Sequence, residues 1–299
     1  MNIVFMGTPD FAIPSLKILL ENKHNIMAVV TALDKERGRG QKITYTPLKE
    51  FAVKENITVL QPGKLKDENF QKELKKLNAD IFVIVAFRIL PSEIFTIPTK
   101  GTFNLHGSLL PKYRGAAPIQ WALINGEKET GVTTFFIDEK VDAGNIVLQE
   151  KIIIDDEDDF GSLSKKMSLL GAETVLKTVS FIEEGKIYSN IQNDSFATPA
   201  PKITKEIANI NWNLPAERIH NLVRGLSPHP AAYFYYQQKL IKVFKTKLNF
   251  DIVLNPSEIK QTKRNLFIGC GVGSLEILEL QLEGKKKLST EEFLRGFKF

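Results

Sequence analysis

A single cysteine, Cys270, stands in 299 residues, so the chain can neither close an internal disulfide nor build a cysteine-rich zinc site. A lone thiol suits a reducing compartment. Long apolar runs are also missing. The longest, Ile81 to Phe87, is far too short to cross a bilayer, and no membrane partner is expected. No basic segment precedes Ile3-Val4-Phe5, so the N-terminus reads as a first strand and not as a secretory signal. The expectation is a soluble, cytoplasmic monomer. Glycine-rich phosphate loops are absent as well. Phe5-Met6-Gly7-Thr8-Pro9 offers one glycine where a dinucleotide fingerprint needs three, and Gly38-Arg39-Gly40-Gln41-Lys42 lacks both the spacing of a Walker loop and a preceding strand. Nicotinamide redox chemistry and phosphoryl transfer lose ground accordingly. The acidic run Asp155 to Asp159 reads as a solvated loop with some helix-dipole benefit, and no metal is expected there.

What is present is ordinary globular composition, 43% apolar and 25% charged, in a length comfortable for two domains. The charge is unevenly placed. Lys205 to Phe299 holds 15 Lys and Arg against 9 Asp and Glu, whereas the first 204 residues hold 25 against 26. The basic excess therefore sits in the last third, as expected of a segment that docks on a polyanion such as nucleic acid or simply keeps its surface soluble.

The first half alternates strand and helix patterns. Asn2–Met6, Ile26–Thr31, Ile81–Ala86 and Thr102–His106 read as strands; Pro9–Glu21, Pro47–Lys54 and Lys66–Leu77 read as amphipathic helices. This alternation predicts an open α/β sheet rich in parallel strands. A helix from about Leu163 to Glu184 closes that part. Asn190 to Thr204, with Pro199 and Pro201, reads as a linker. Short strands with glycine turns then predict a small β-barrel, ended by a capping box at Ser289 and Glu292. The domains expected are 1–189, a linker 190–204, and 205–299.

The densest segment for chemistry is Phe103-Asn104-Leu105-His106-Gly107-Ser108-Leu109-Leu110-Pro111. Alternate residues of a strand share a face, so Asn104 and His106 point together while Leu105 points away. Gly107 ends the strand, which puts the pair at the carboxyl end, where open α/β sheets hold ligands. An amide beside an imidazole can polarise a carbonyl and stabilise an oxyanion. A carboxylate to hold the ring would come from the loop after Gly131–Ile137, where Asp138, Glu139 and Asp142 compete on spacing alone.

Gly7-Thr8-Pro9-Asp10-Phe11-Ala12, the run from Asn104 to Pro111 continued by Tyr113-Arg114-Gly115-Ala116-Ala117-Pro118-Ile119-Gln120, and Asp142-Ala143-Gly144 resemble the methionyl-tRNA formyltransferases, enzymes that use 10-formyltetrahydrofolate. The likeness extends to Leu275 through Gln281 and to Gly284-Lys285-Lys286. It implies a Rossmann-like formyltransferase domain followed by an OB-type barrel, with Asn104, His106 and Asp142 as catalytic residues. It implies folate contacts from Ser108, Leu109, Leu110 and Pro111, and from the segment Phe87, Arg88, Ile89 and Leu90. That segment departs from the family pattern, which carries one more residue, often glycine, before Ile-Leu-Pro. The partner implied is initiator methionyl-tRNA, met by the basic loop with Arg37, Arg39 and Lys42 and by Lys242, Lys245, Lys285 and Lys286. Asn104 and a protonated His106 would then be the two donors to a developing oxyanion, Asp142 holding the imidazole. Formylation of a small amine, a non-catalytic RNA-binding role and nicotinamide redox chemistry are the competing readings. The basic C-terminal segment, the intact Asn104, His106 and Asp142, and the missing glycine fingerprint argue against them in turn.

Overall fold

The computed structural model describes residues 1–37, 42–186 and 188–299. Its first sheet has seven strands in the order Val59–Leu60, Asn25–Val30, Asn2–Gly7, Ile81–Val85, Thr102–His106, Glu129–Phe136, Ile146–Ile153. The first five are mutually parallel, and Glu129–Phe136 runs antiparallel to Thr102–His106. Every residue of Ile81–Val85 is buried, as its unbroken apolar run requires of a central strand covered on both faces. On one face Val4, Met6, Phe82 and Ile84 pack with Phe70 and Leu74 of the helix Glu68–Lys76 and with Ile94. On the other, Leu105 meets the helix Phe160–Glu183 at Gly171, where a Cβ would come within 2.6 Å of the leucine Cδ2. The strand order reverses between Asn2–Gly7 and Ile81–Val85, and a ligand crevice forms beyond the carboxyl ends at such a reversal.

The second sheet is antiparallel, in the order Ala232–Tyr236, Lys239–Asn249, Ser274–Leu282, Leu266–Gly269, Ile259–Gln261, with Leu288–Ser289 against Ser274–Leu282. Register slips between Val243 and Thr246 bend its longest strand. No ladder joins the two outer strands among the described residues, so the barrel architecture is realised as a curled half-barrel. The helix Ala216–Leu226 packs on it through Ile219, Val223 and Leu226, against Phe234, Val243 and Leu280. The capping box at Ser289 and Glu292 forms as the sequence predicts.

By contact the chain divides into two units that interleave in sequence. Met1–Gly115, Gly131–Ile152 and Ser164–Pro199 make the first; Ala116–Thr130, Ile153–Leu163 and Ala200–Phe299 make the second. Contact and chain order thus partition the residues differently. The helix Pro118–Ile124 lies on Ala216–Leu226, and Gly225 admits it, since a Cβ there would sit 2.7 Å from Ile124 Cγ1. Nor is 190–199 a free linker: Asn190 bridges Ile146, and Pro199 bridges Arg114. The acidic run is not wholly solvated either. Asp158 is buried and accepts from the Ser162 hydroxyl at 2.7 Å, while Asp159 accepts from Ser162 N at 2.8 Å, so the run caps the long helix.

Candidate active site

A cavity of about 100 Å³ opens at the carboxyl ends of Ile81–Val85 and Thr102–His106. Ile84, Phe87, Leu90, Phe135 and Ile137 give it apolar walls, and Asn104, Asp138 and Asp142 give it polar ones. Arg88, Ile89, Glu139, Lys140 and Val141 complete it. No hydrogen bond claims the Asn104 carboxamide among the described residues, so its donors face the cavity uncommitted.

His106 is on the same strand face but is placed differently. It is 6% exposed and is not among the residues that line the cavity. Its Nε2 lies 2.8 Å from the carbonyl oxygen of Tyr113, which can only accept, so Nε2 carries a hydrogen and donates it there. The remaining nitrogen, Nδ1, lies 3.7 Å from Asp142 Oδ2. For His106, which the resemblance implies as a second oxyanion donor, the structure sets Nε2 against a backbone carbonyl and the other nitrogen beside a carboxylate. Of the three acids that spacing left in competition, Asp142 is the one that reaches the ring. Its Oδ2 also accepts from Gly115 N at 2.9 Å.

The backbone that aims Asp142 is unusual. Asp142 has a φ of 52°, in the left-handed region. Two residues on, Gly144 passes so close to the chain that a Cβ would lie 1.8 Å from Phe136 O. Gln192, 7% exposed, holds this turn from outside: its Nε2 donates to Asp142 O at 3.0 Å and to Gly144 O at 2.8 Å. Its Oε1 accepts from Arg114 Nε at 3.1 Å and Nη2 at 2.7 Å. Arg114 also donates to Asp194 at 2.8 Å, and that hydrogen bond holds the Asp194 carboxyl below the usual range.

The segment Ser108 to Pro111 does not line the cavity; it buttresses the strand end. Ser108 donates to Lys112 O at 2.6 Å. The Thr133 hydroxyl donates to Ser108 O at 2.6 Å and accepts from Leu110 N at 3.1 Å and from Gln149 Nε2 at 3.0 Å. Leu110 is buried, and Leu109 fills the space over Gly131. All four residues of the second predicted segment, Phe87, Arg88, Ile89 and Leu90, line the cavity, and the Arg88 guanidinium also donates to Pro62 O at 3.0 Å. Sequence reasoning missed Gln192, Thr133, Gln149 and Thr198, whose hydroxyl accepts from Tyr113 N at 2.9 Å. None lies in a motif with Asn104 or Asp142; only the polar character of the supposed linker hinted at a side chain needing a partner.

Of the predicted cationic residues, Arg39 and the side chains of Arg37 and Lys42 lie outside the described residues. Lys285 and Lys286 are exposed and Lys242 is half-buried. Lys245 is engaged instead, its ammonium 3.1 Å from Glu157 Oε2. Cys270 is buried, and burial pushes its thiol up to about 11, which fits a packing role. Among the described residues no helix is long and apolar enough to cross a membrane.

Two family models cover most of the chain: Formyl transferase matches residues 1–179, and Formyl transferase, C-terminal domain, matches residues 202–298. A methionyl-tRNA formyltransferase of Caldanaerobacter subterraneus is 47% identical over 299 residues, spanning 99% of this chain and 97% of the relative. One from Flavobacterium johnsoniae is 44% identical over 305 residues, spanning 100% and 97%. Among solved structures, an N-formyltransferase from Helicobacter canadensis in complex with folinic acid and dTDP-3-aminofucose gives a TM-score of 0.71 at 23% identity, over 96% of this chain and 99% of that one. At that identity the likeness concerns the fold.

Proposed function

The chain belongs to the methionyl-tRNA formyltransferase family, and on that premise we propose that it moves a formyl group from 10-formyltetrahydrofolate to the α-amino group of methionine carried by initiator tRNA, for translation initiation. The observation that carries this reading is the uncommitted Asn104 carboxamide facing a cavity that Asp142 also lines, with Asp142 in turn beside His106.

The cavity suits a flat heteroaromatic ring: Phe87, Leu90 and Phe135 offer apolar faces, and Asp138, Asp142 and Asn104 offer polar partners for a rim of ring nitrogens. Phe87, Ile89 and Leu90 would hold the pterin, and Ser108, Leu109, Leu110 and Pro111 would keep the floor of the site in register. When bound, the donor supplies an activated one-carbon acyl group. The α-amine of an aminoacyl ester has a pKa below the roughly 7.7–8.0 of an ordinary α-amino group, so enough of it is neutral near pH 7 to attack without a strong base. As its nitrogen bonds to the formyl carbon, charge builds on the formyl oxygen, and the Asn104 N–H donates to it. The amine must then lose a proton. Asp142 takes it, directly or through one water, while His106, its Nε2–H anchored on Tyr113 O, faces the carboxylate from Nδ1. The oxyanion then collapses, the bond between the formyl carbon and the donor nitrogen of the folate breaks, and that proton passes to the departing nitrogen, so that the formylated amine and tetrahydrofolate leave.

Along the chain, 1–189 is the proposed catalytic portion and 205–299 the portion that holds tRNA, with 190–204 between them. The C-terminal surplus of positive charge serves the phosphate backbone through Lys242, Lys285 and Lys286, with Lys245 available once released from Glu157. The basic loop with Arg37, Arg39 and Lys42 is assigned to the acceptor end. That basic surplus favours tRNA over a small amine.

The deciding experiment incubates the purified protein with 10-formyltetrahydrofolate and charged initiator methionyl-tRNA. N-formylmethionine on the tRNA is the expected product, and its absence with saturating donor would reject the reading. The variant Asn104→Ala should lower kcat about 10²–10³-fold while changing the donor KM little, as loss of one oxyanion donor does. Unchanged kcat would remove Asn104 from that role.

A further inference from the structure

We propose that Gln192 is a positioning residue for the transfer reaction, acting only through the Asp142 turn. The proposal rests on the reading of Asp142 as the group that takes the amine's proton.

The geometry is a closed ring of contacts. Gln192 Nε2 donates to the carbonyls of Asp142 and Gly144. Gln192 Oε1 accepts two hydrogen bonds from Arg114. Arg114 is followed in the chain by Gly115, and Gly115 N donates to Asp142 Oδ2 at 2.9 Å. The ring thus grips Asp142 at both ends, by its backbone carbonyl and by its carboxylate. The turn's own backbone bond here, Ala143 N to Lys140 O, is long at 3.4 Å. Asp142 sits at a φ of 52°, a region that L-residues with a Cβ occupy at a cost, and its carbonyl oxygen and that of Gly144 lie 3.0 and 2.8 Å from one nitrogen, Gln192 Nε2. One donor atom thus satisfies two carbonyls of the turn. A primary carboxamide supplies both hydrogens from one atom while keeping an acceptor for the guanidinium; no other neutral side chain of that length does so. Gln192 touches neither the cavity nor the reacting atoms, so its effect on the reaction must pass through Asp142.

Two substitutions separate the halves of the ring. Gln192→Met keeps the length and removes both polar functions. Gln192→Glu keeps an acceptor for Arg114 but has no N–H for the two carbonyls. Both should lower kcat about 10- to 100-fold, the scale of loss from misplacing a reacting group by a fraction of an ångström, with donor KM changed by less than about threefold. In an Asp142→Ala background, Gln192→Met should change kcat by less than about twofold, because two residues acting as one unit do not add. Thermal unfolding of each variant is followed alongside. If Gln192→Met does not fold, Gln192→Glu decides alone, since it retains the Arg114 contact.

Wild-type kcat in Gln192→Glu would overturn the proposal, as would losses that multiply in the double variant. If Asp142→Ala itself turns over at the wild-type rate, the role of Asp142 falls and this inference with it. If Asp142→Ala is crippled while the Gln192 variants are normal, only the inference fails.

Discussion

Asn104 and His106 occupy one face of one strand, yet the atoms each can reach give them different work. The carboxamide meets open space and apolar walls, so its donors stay available to a substrate. The imidazole, one pleat further, meets Tyr113 O on one side and Asp142 on the other, and is held between them. A single residue also shows how local backbone cost is tolerated at the cavity. Ala86, immediately after the strand Ile81–Val85, has a φ of 50°, where glycine sits without strain and alanine does not. It precedes Phe87, Arg88 and Ile89, which line the cavity. The variant Ala86→Gly should therefore stabilise the protein by about 0.5–1 kcal/mol, relief of the left-handed strain outweighing the looser unfolded chain. Denaturant melts with unchanged slope would measure it, and a lowered midpoint would contradict it.

At the scale of elements, the helix Ala216–Leu226 does more than pack on its sheet. It carries Arg224, whose guanidinium donates to the carbonyls of Asp155, Asp156 and Asp158 and to Asn221. Burial lowers the tendency of Arg224 to hold its proton, and the charges of Asp156 and Asp158 offset part of that loss. One turn earlier His220 shares a hydrogen bond of 2.9 Å with Thr246. Burial, and then the charge of Arg224, holds the His220 pKa below its ordinary 6.5, against the opposing pull of Glu157, Asp156 and Glu217. The unfolded chain therefore binds a proton at His220 before the folded one does. This contribution to stability is present above the unfolded value and is lost as pH falls through the folded one. On going from about pH 7.5 to about pH 5, the thermal midpoint should drop further in the native protein than in His220→Gln. Parallel drops in the two proteins would show that His220 carries no such linkage.

For the whole molecule the relevant quantity is the distribution of charge. The C-terminal surplus is partly neutralised within its own sheet: Lys245 stands opposite Glu279 and Lys247 opposite Glu276 across the ladder, and Lys287 pairs with Glu279 at 2.7 Å. Lys242, Lys285 and Lys286 belong to the remainder. Replacing all three by alanine should weaken tRNA binding and reduce the slope of log affinity against log salt by up to about one unit for each phosphate contact removed. Binding of the formyl donor should not change. An unaltered salt slope would place the tRNA-facing surface elsewhere.

Much of this was legible in the residues. The period-2 alternation of Thr102–His106 put Asn104 and His106 together, the apolar Ile81–Val85 run marked a strand buried on both faces, and Ser289 with Glu292 announced a helix start. These are local consequences of backbone geometry, which neighbours in sequence carry among themselves. The strand Ile146–Ile153 escaped notice because its residues are mostly polar or partly exposed, so no clean apolar face advertises it. The supposed linker escaped for the opposite reason: its polar composition is that of a loop, and only tertiary structure shows Gln192 buried against a turn 50 residues earlier. Sequence alone determined which elements form, which residues share a strand face and where the charge lies, because those follow from spacing and composition. The folded chain decided which acid meets His106, which imidazole nitrogen is spent and what holds Asp142 in place, because those depend on distances between segments that the order of residues does not encode.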